Sequence, residues 1–306
     1  MQKKFYLNLV VAIILLTIGA SSFAGPLISI YRGSSLYIGG DLIPDPGAKF
    51  ESTSSSSLAD TYSVLGNHLE GYANLSTGKL GLMITDTTPA KSFVSVSASD
   101  SLTFSTSDSL PTTVSYDFNV NGIMSNSSDS APILFDHPVI HTGATIKAYV
   151  TVFDTTDSSH SLVNQYSQGV AVGSPELIRE YESIGYYGMP DYPEFWHDGA
   201  LIMSTDGTLY PIAFPVSGSF VVYPGHTYDI RLSLQGLAEG VSGTVSLDFM
   251  HTGTFRFTEL NGATFESSSG TFLSSLSPVP EPKIYIMLLG GLGLLSLMKL
   301  RDNSFV

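Results

Sequence analysis

The chain has 306 residues, with 13 Lys and Arg against 27 Asp and Glu, a formal net charge of -14 and a sequence pI near 4.7. That acidic balance excludes nucleic acid as a partner, because phosphate binding needs clustered Lys and Arg, and zero cysteines remove disulfides, thiolate metal sites and Cys nucleophiles together. Only 13% of the residues are charged while 43% are hydrophobic, so the polarity comes from Ser, Thr, Gly and Asn, and there is apolar material for a large core.

The N-terminus reads Met1-Gln2-Lys3-Lys4, an apolar run from Phe5 to Ala20 interrupted by Asn8, Thr17 and Gly19, then Ser21-Ser22-Phe23-Ala24. Two lysines resist translocation, the apolar run enters the membrane as a helix, and small Ser22 and Ala24 fit the subsites of signal peptidase. Residues 1–24 are therefore expected to be a secretory signal peptide cut between Ala24 and Gly25; the alternative is an uncleaved anchor.

Residues 25–277 form the expected secreted body. Within it the 25 acidic and 8 basic residues give -17, a self-repulsion that favours solubility. The run from Ser52 to Ser57 predicts a flexible loop. Ser92–Ala98 alternates in part, and Thr112–Val120 alternates cleanly, placing Val114, Tyr116, Phe118 and Val120 on one face. Asn121-Gly122 then predicts a hairpin turn. Further strands are predicted at 81–85, 145–153, 218–223, 227–234, 243–249 and 252–257.

Asp136-His137 with His141 is no zinc helix, because Pro138 breaks the helical spacing and a third ligand is not indicated. Asp154-Thr155-Thr156-Asp157 with His160 lacks the twelve-residue calcium loop and reads more simply as a turn. A helix is predicted from Ser174, with Ser174 as N-cap, Pro175 in the first turn and Glu176 favourable to the dipole, ending at Gly185. The helix opens an insertion spanning about 174–199 that carries Tyr186, Tyr187, Tyr192, Trp196 and Asp198. Aromatic faces beside carboxylates hold sugars, so Tyr187, Tyr192, Trp196 and Asp198 are candidate glycan contacts. The alternative is a loop that caps one end of the sheets.

At the C-terminus, Pro278-Val279-Pro280-Glu281-Pro282 precedes an apolar segment, Ile284 to Met298, followed by Lys299 and Arg301. The prolines hold an extended, accessible strip. Those 15 apolar positions would cover about 23 Å of a roughly 30 Å hydrocarbon core, with Lys283 and Lys299 snorkelling at its borders. A buried core helix is the competing reading; the preceding prolines and the all-round apolarity favour a single transmembrane helix at 284–298.

The order Val279-Pro280-Glu281-Pro282, short apolar helix, Lys299 and Arg301 closely resembles the PEP-CTERM sorting signal of exopolysaccharide-producing Gram-negative bacteria. Residues 278–306 then form the sorting signal, although Lys283 stands where a small or neutral residue is usual and Asp302 dilutes the basic end. The resemblance implies that the exported chain waits in the inner membrane until exosortase, a membrane protease, cuts at Pro280-Glu281-Pro282, so these residues are substrate and not catalyst. Tyr72–Leu80, Ser97–Phe104, Val222–Tyr228 and Leu247–Leu273 also resemble strands of PEP-CTERM proteins, with no activity attached.

No nucleophile elbow, P-loop, dinucleotide fingerprint or His-Glu-x-x-His helix is present. No regular Thr-x-Thr ladder suggests ice binding. Carboxylate pairs such as Glu180/Glu182 or Glu194/Asp198 are unavoidable among so many acids and point to no hydrolase. The expected architecture is all-β, an antiparallel β-sandwich or jelly-roll-like body between an N-terminal signal helix and a C-terminal transmembrane helix. The expected protein is a non-enzymatic envelope or matrix protein without cofactor or metal, associated with exopolysaccharide or biofilm. The alternatives are a carbohydrate-active enzyme and an inner-membrane-anchored periplasmic protein whose tail is not cleaved.

Overall fold

The structure is a computed structural model that describes residues 26–38, 41–44, 48–64, 66–87, 90–106, 109–127, 143–156, 160–173, 199–203, 208–240, 243–250 and 253–274. The predicted signal peptide, the helix from Ser174, the aromatic insertion and the sorting tail lie outside the described residues. In chain order the strands are β1 (Leu27–Ile38), β2 (Asp41–Pro44), β3 (Lys49–Thr53), β4 (Ser57–Val64), β5 (Asn67–Asn74), β6 (Lys79–Asp86), β7 (Ala90–Thr106) and β8 (Thr112–Asn126). They continue as β9 (Gly143–Asp154), β10 (Ser161–Gly173), β11 (Gly199–Met203), β12 (Tyr210–Val222), β13 (Thr227–Gly240), β14 (Val245–Asp248), β15 (Gly253–Glu259) and β16 (Ala263–Ser267).

Two sheets pack face to face. The first runs β11-β10-β9-β13-β7-β1-β2, with β3 also on β1 and β16 also on β7; the second runs β12-β8-β14-β6-β5-β4, with β15 between β6 and β8. Among the described residues every pairing is antiparallel except β10 with β11. From β6 onward the chain passes repeatedly from one sheet to the other, so each sheet is assembled from segments distant in sequence.

Period-two patterning explains the layers. On β8, Val114, Tyr116, Phe118 and Val120 are all buried, as their alternation predicts; in the other sheet the inward residues Ile146, Ala148, Val150 and Val152 of β9 and Tyr228, Ile230, Leu232 and Leu234 of β13 are buried too, β9 packing against β8 and β13 against β6 and β14. Burying each such side chain contributes about 1.5–3 kcal/mol, as an upper estimate. One end of the core is aromatic: the Phe104 ring lies 5.7 Å from Tyr228, 5.8 Å from Phe265, 6.0 Å from Phe257 and 6.2 Å from Phe220, joining three strands of the first sheet to two of the second.

Asn121-Gly122 is not a hairpin turn. β8 passes through it to Asn126, with Asn121 opposite Ala213 and Gly122 opposite Ile212. The glycine serves a close approach instead: β14 and β15 are two halves of one interrupted strand, and a Cβ at Gly122 would overlap the Phe249 ring and the Asp248 carbonyl where that strand bulges.

The predicted loop at 52–57 shrinks to residues 54–56, because Ser52 and Thr53 belong to β3 and Ser57 opens β4. Local bonds order this crossing between sheets: Ser55 N–H donates to Thr53 Oγ1 (3.1 Å), and Leu75 N–H donates to the Ser56 carbonyl (2.9 Å).

β12 starts at Tyr210, well before the predicted Gly218, despite Pro211 and Pro215. Among the described residues it is the outer strand of its sheet, so the missing N–H groups fall on the side that pairs with no strand, where prolines also deter pairing with another chain.

Candidate functional site

The residues selected from sequence for sorting (Val279, Pro280, Glu281, Pro282, Lys299, Arg301), for signal cleavage (Ala24, Gly25) and for glycan contact (Tyr187, Tyr192, Trp196, Asp198) lie outside the described residues. So do Asp136, His137, His141, Glu180, Glu182 and Glu194. The strands that lead to these segments are nevertheless informative. β10 delivers Gly173 beside Gly143, where β9 begins, at the end of the sandwich where β6 finishes at Asp86 and β7 starts at Ala90. The insertion and residues 128–142 therefore both depart from this Asp86 end. The body's own first and last strands meet at the other end, where Leu27 pairs with Ser99 and Ser267 with Leu102 on the same side of β7.

At that second end the structure joins two segments that are separate in sequence. Asp154, at the end of β9, and His226, in the turn before β13, are hydrogen-bonded, with His226 Nδ1 2.8 Å from Asp154 Oδ2. An ionised carboxylate only accepts, so Nδ1 carries the proton of this bond. Thr156 N–H donates to Asp154 Oδ1 (2.9 Å), the Asx turn expected for this segment, and Thr227 N–H donates to Thr156 Oγ1 (2.9 Å). Burial by itself raises the Asp154 carboxyl, but the bonds from His226 and Thr156 outweigh it and hold the group below the ordinary carboxylate range.

Because the folded value is depressed, this pair's contribution to stability is present above the unfolded carboxylate value and is lost as pH falls through the folded one. His226→Ala is expected to raise the Asp154 titration midpoint toward the ordinary value, read by carboxyl-carbon NMR; an unchanged midpoint would assign the shift to Thr156 alone.

Tyr223 is 47% exposed and its ring centroid lies 5.3 Å from that of His226, so the pair presents an aromatic surface beside the carboxylate. An Asp–His couple is the orienting half of a nucleophilic triad. Here, among the described residues, no hydroxyl is bonded to the His226 ring, and no group of three or more His, Asp or Glu is arranged for a metal ion.

Two further groups interrupt the apolar parity of their strands. On β7, Val94, Val96 and Ala98 are followed inward by Asp100; on β6, Leu80, Leu82 and Ile84 are followed inward by Asp86. Asp100 is fully satisfied. Its Oδ2 accepts from Ser267 Oγ (2.5 Å) and Ser269 Oγ (2.6 Å), and its Oδ1 from Ser268 Oγ (2.7 Å) and Ser101 N–H (2.9 Å). Asp86 is the opposite case, with both carboxylate oxygens buried and lacking a hydrogen-bond partner. Sequence reading passed over both acids, although a charge at an inward position of an alternating strand is a visible signal.

No protein-family model, curated protein or solved structure matches the chain.

Proposed function

We propose that this chain is a non-enzymatic exported protein of the PEP-CTERM type, sorted by exosortase through residues 278–306 to the cell surface or an exopolysaccharide matrix. In this reading a signal helix and a single transmembrane helix flank the body, and its repeated passage between sheets is a jelly-roll-like winding. The order of segments carries the proposal: a signal-like start, a folded body, then the Pro-Glu-Pro strip, an apolar segment and basic residues.

The packing supports these boundaries. The core starts with Ile28 and Ile30, just after the expected cut at Ala24, and ends with Phe272 and Leu273, just before Pro278. Removal of both tails leaves every described core residue in the body. β10 ends at Gly173 at the Asp86 end, whereas residues 268–274 lie at the other end; a body held by its tail would thus turn the Asp86 end outward, toward polysaccharide, with Tyr187, Tyr192, Trp196 and Asp198 as the proposed contacts.

The test is terminal-peptide mass spectrometry on the native protein from inner-membrane, periplasmic and extracellular fractions of the producing cells. The wild-type chain is expected outside the cell, beginning at Gly25 and ending near Pro280. Glu281→Ala is expected to retain residues 284–298 and remain in the inner membrane. Wild-type processing of that variant, or a wild-type chain that keeps its tail in the membrane, would overturn the sorting reading.

A further inference from the structure

Asp86 and Ser92 face each other between the two sheets. Val245 of β14 pairs with both Asp86 of β6 and Asn126 of β8, and Asn67 at the start of β5 is buried at the same end of the second sheet. Opposite them, the first sheet aligns Ser34 of β1, Ser92 of β7, Ala238 of β13 and Ala144 of β9 in one row of pairs, all buried. One end of the core is thus polar on one sheet and small on the other.

The hydroxyls are already committed. Ser92 Oγ donates to Ser34 Oγ (3.0 Å), so its contact with the Asp86 carboxyl offsets burial only in part, and neither Asp86 oxygen has a hydrogen-bond partner of normal geometry. A buried carboxylate in that position bears its full desolvation cost. A protonated carboxyl reverses the situation, because its O–H supplies the donor that Ser92 lacks and completes a chain from Asp86 through Ser92 to Ser34.

The charged groups around Asp86 give no relief. From β13, Glu239 adds repulsion while bonded to Lys91 of β7 (3.1 Å), and from β1, Arg32 is committed to Asp60 of β4. On β5, His68 bonds Ser63 and lies by Glu70; β14 and β8 contribute Val245 and Asn126 here, neither of them charged.

We propose that Asp86 is a proton-binding site that couples the closure of this end of the sandwich to pH, the bound proton sealing the gap between the sheets and its loss placing an unpaired charge there. Burial pushes the carboxyl from 3.8 up to about 7, the Ser92 contact lowers it and Glu239 raises it further. The folded chain therefore holds an extra proton between those two values. The associated stabilisation is complete below the unfolded value and is lost as pH rises through the folded one, by roughly a thousandfold in the folding equilibrium across that window. The device sits at the end of the sandwich where β8 ends at Asn126, β9 begins at Gly143 and β10 ends at Gly173.

The experiment uses the full-length chain. Carboxyl-carbon NMR of the wild type is expected to place the Asp86 midpoint near 7, and amide exchange at Ala90, Ser92, Val245 and Asn126 is expected to accelerate above that pH while β9 and β13 centres stay protected. Asp86→Asn is expected to remove this pH dependence and to be more stable than wild type at pH about 8. A midpoint in the ordinary carboxylate range would overturn the proposal without reference to any variant. So would exchange at those four amides that does not change with pH, and so would calcium chloride at millimolar concentration protecting the wild type but not Asp86→Asn, since a metal ion would then take the proton's place.

Discussion

Asp60→Ala is expected to destabilise the body by about 3–5 kcal/mol, because it strands a guanidinium inside the sandwich. Arg32 is an inward position of β1, following Ile28 and Ile30, and its residue surface is 5% exposed. Its Nε donates to Asp60 Oδ2 and its Nη2 to Asp60 Oδ1 (3.4 Å), while its guanidinium carbon lies 4.4 Å over the Tyr62 ring. β1 belongs to one sheet and β4 to the other, so the fork closes the side of the sandwich by ion pairing where β4 is an edge strand.

Removing the carboxylate takes this ion-pair partner from the buried guanidinium, and the ring beneath it offsets about 2 kcal/mol at best. Replacing both partners with apolar residues, as Arg32→Met with Asp60→Leu, is expected to recover most of the loss, because the desolvation cost of both charges disappears together. Urea denaturation of the two variants checks this. A loss below about 1 kcal/mol for Asp60→Ala would show that water reaches the guanidinium and that the pair behaves as a surface salt bridge.

Asp100→Ala is expected to cost about 3 kcal/mol and to release the C-terminal turn selectively. Three consecutive serine hydroxyls and one backbone N–H converge on this carboxylate, and Ser269 Oγ in turn accepts from Thr271 N–H (3.0 Å). The turn needs the help. Gly270 has φ of 65° and Leu273 has φ of 55°, a left-handed conformation that is strained for leucine. Ser268 N–H bonded to the Ser101 carbonyl (2.8 Å) and Leu273 N–H bonded to the Leu75 carbonyl (2.9 Å) hold it down, and buried Phe272 packs 5.9 Å from Phe255.

Without the carboxylate, faster amide exchange is expected at Ser268 and Leu273, with the centres of β9 and β13 unchanged. Uniform acceleration over the whole sandwich would mean instead that Asp100 supports the fold globally. Because Leu273 is the last described core residue before Pro278, loosening the turn also lengthens the strip between the body and the proposed cleavage motif, so Asp100→Ala is expected to be cleaved at least as readily as wild type.

Alternation made the centre of the fold legible. Thr112–Val120 and Thr227–Leu234 read as strands because a two-residue period admits one arrangement of faces, and both are inner strands with apolar side chains on the buried face. The same reading failed where a residue answers a distant neighbour. Gly122 resembles a turn glycine until the Phe249 bulge is seen against it, and Pro211 and Pro215 speak against a strand until β12 proves to be an edge. β10, Ser161–Gly173, went unpredicted because Asn164, Gln165, Ser167 and Gln168 mask its apolar face.

What the amino-acid sequence determined alone is the all-β class, the faces of the inner strands and the inward placement of four charges, Arg32, Asp86, Asp100 and Asp154, each visible as a break in an apolar alternation. Tertiary structure alone decided what each charge meets. Arg32 reaches Asp60 across 28 positions, Asp154 reaches His226 across 72, and Asp100 reaches Ser267 across 167, while Asp86 meets a serine whose proton is already given away. A strand's period fixes which way a side chain points, whereas its partner depends on how two sheets stack and in which register, and those are settled by the summed packing of the whole core.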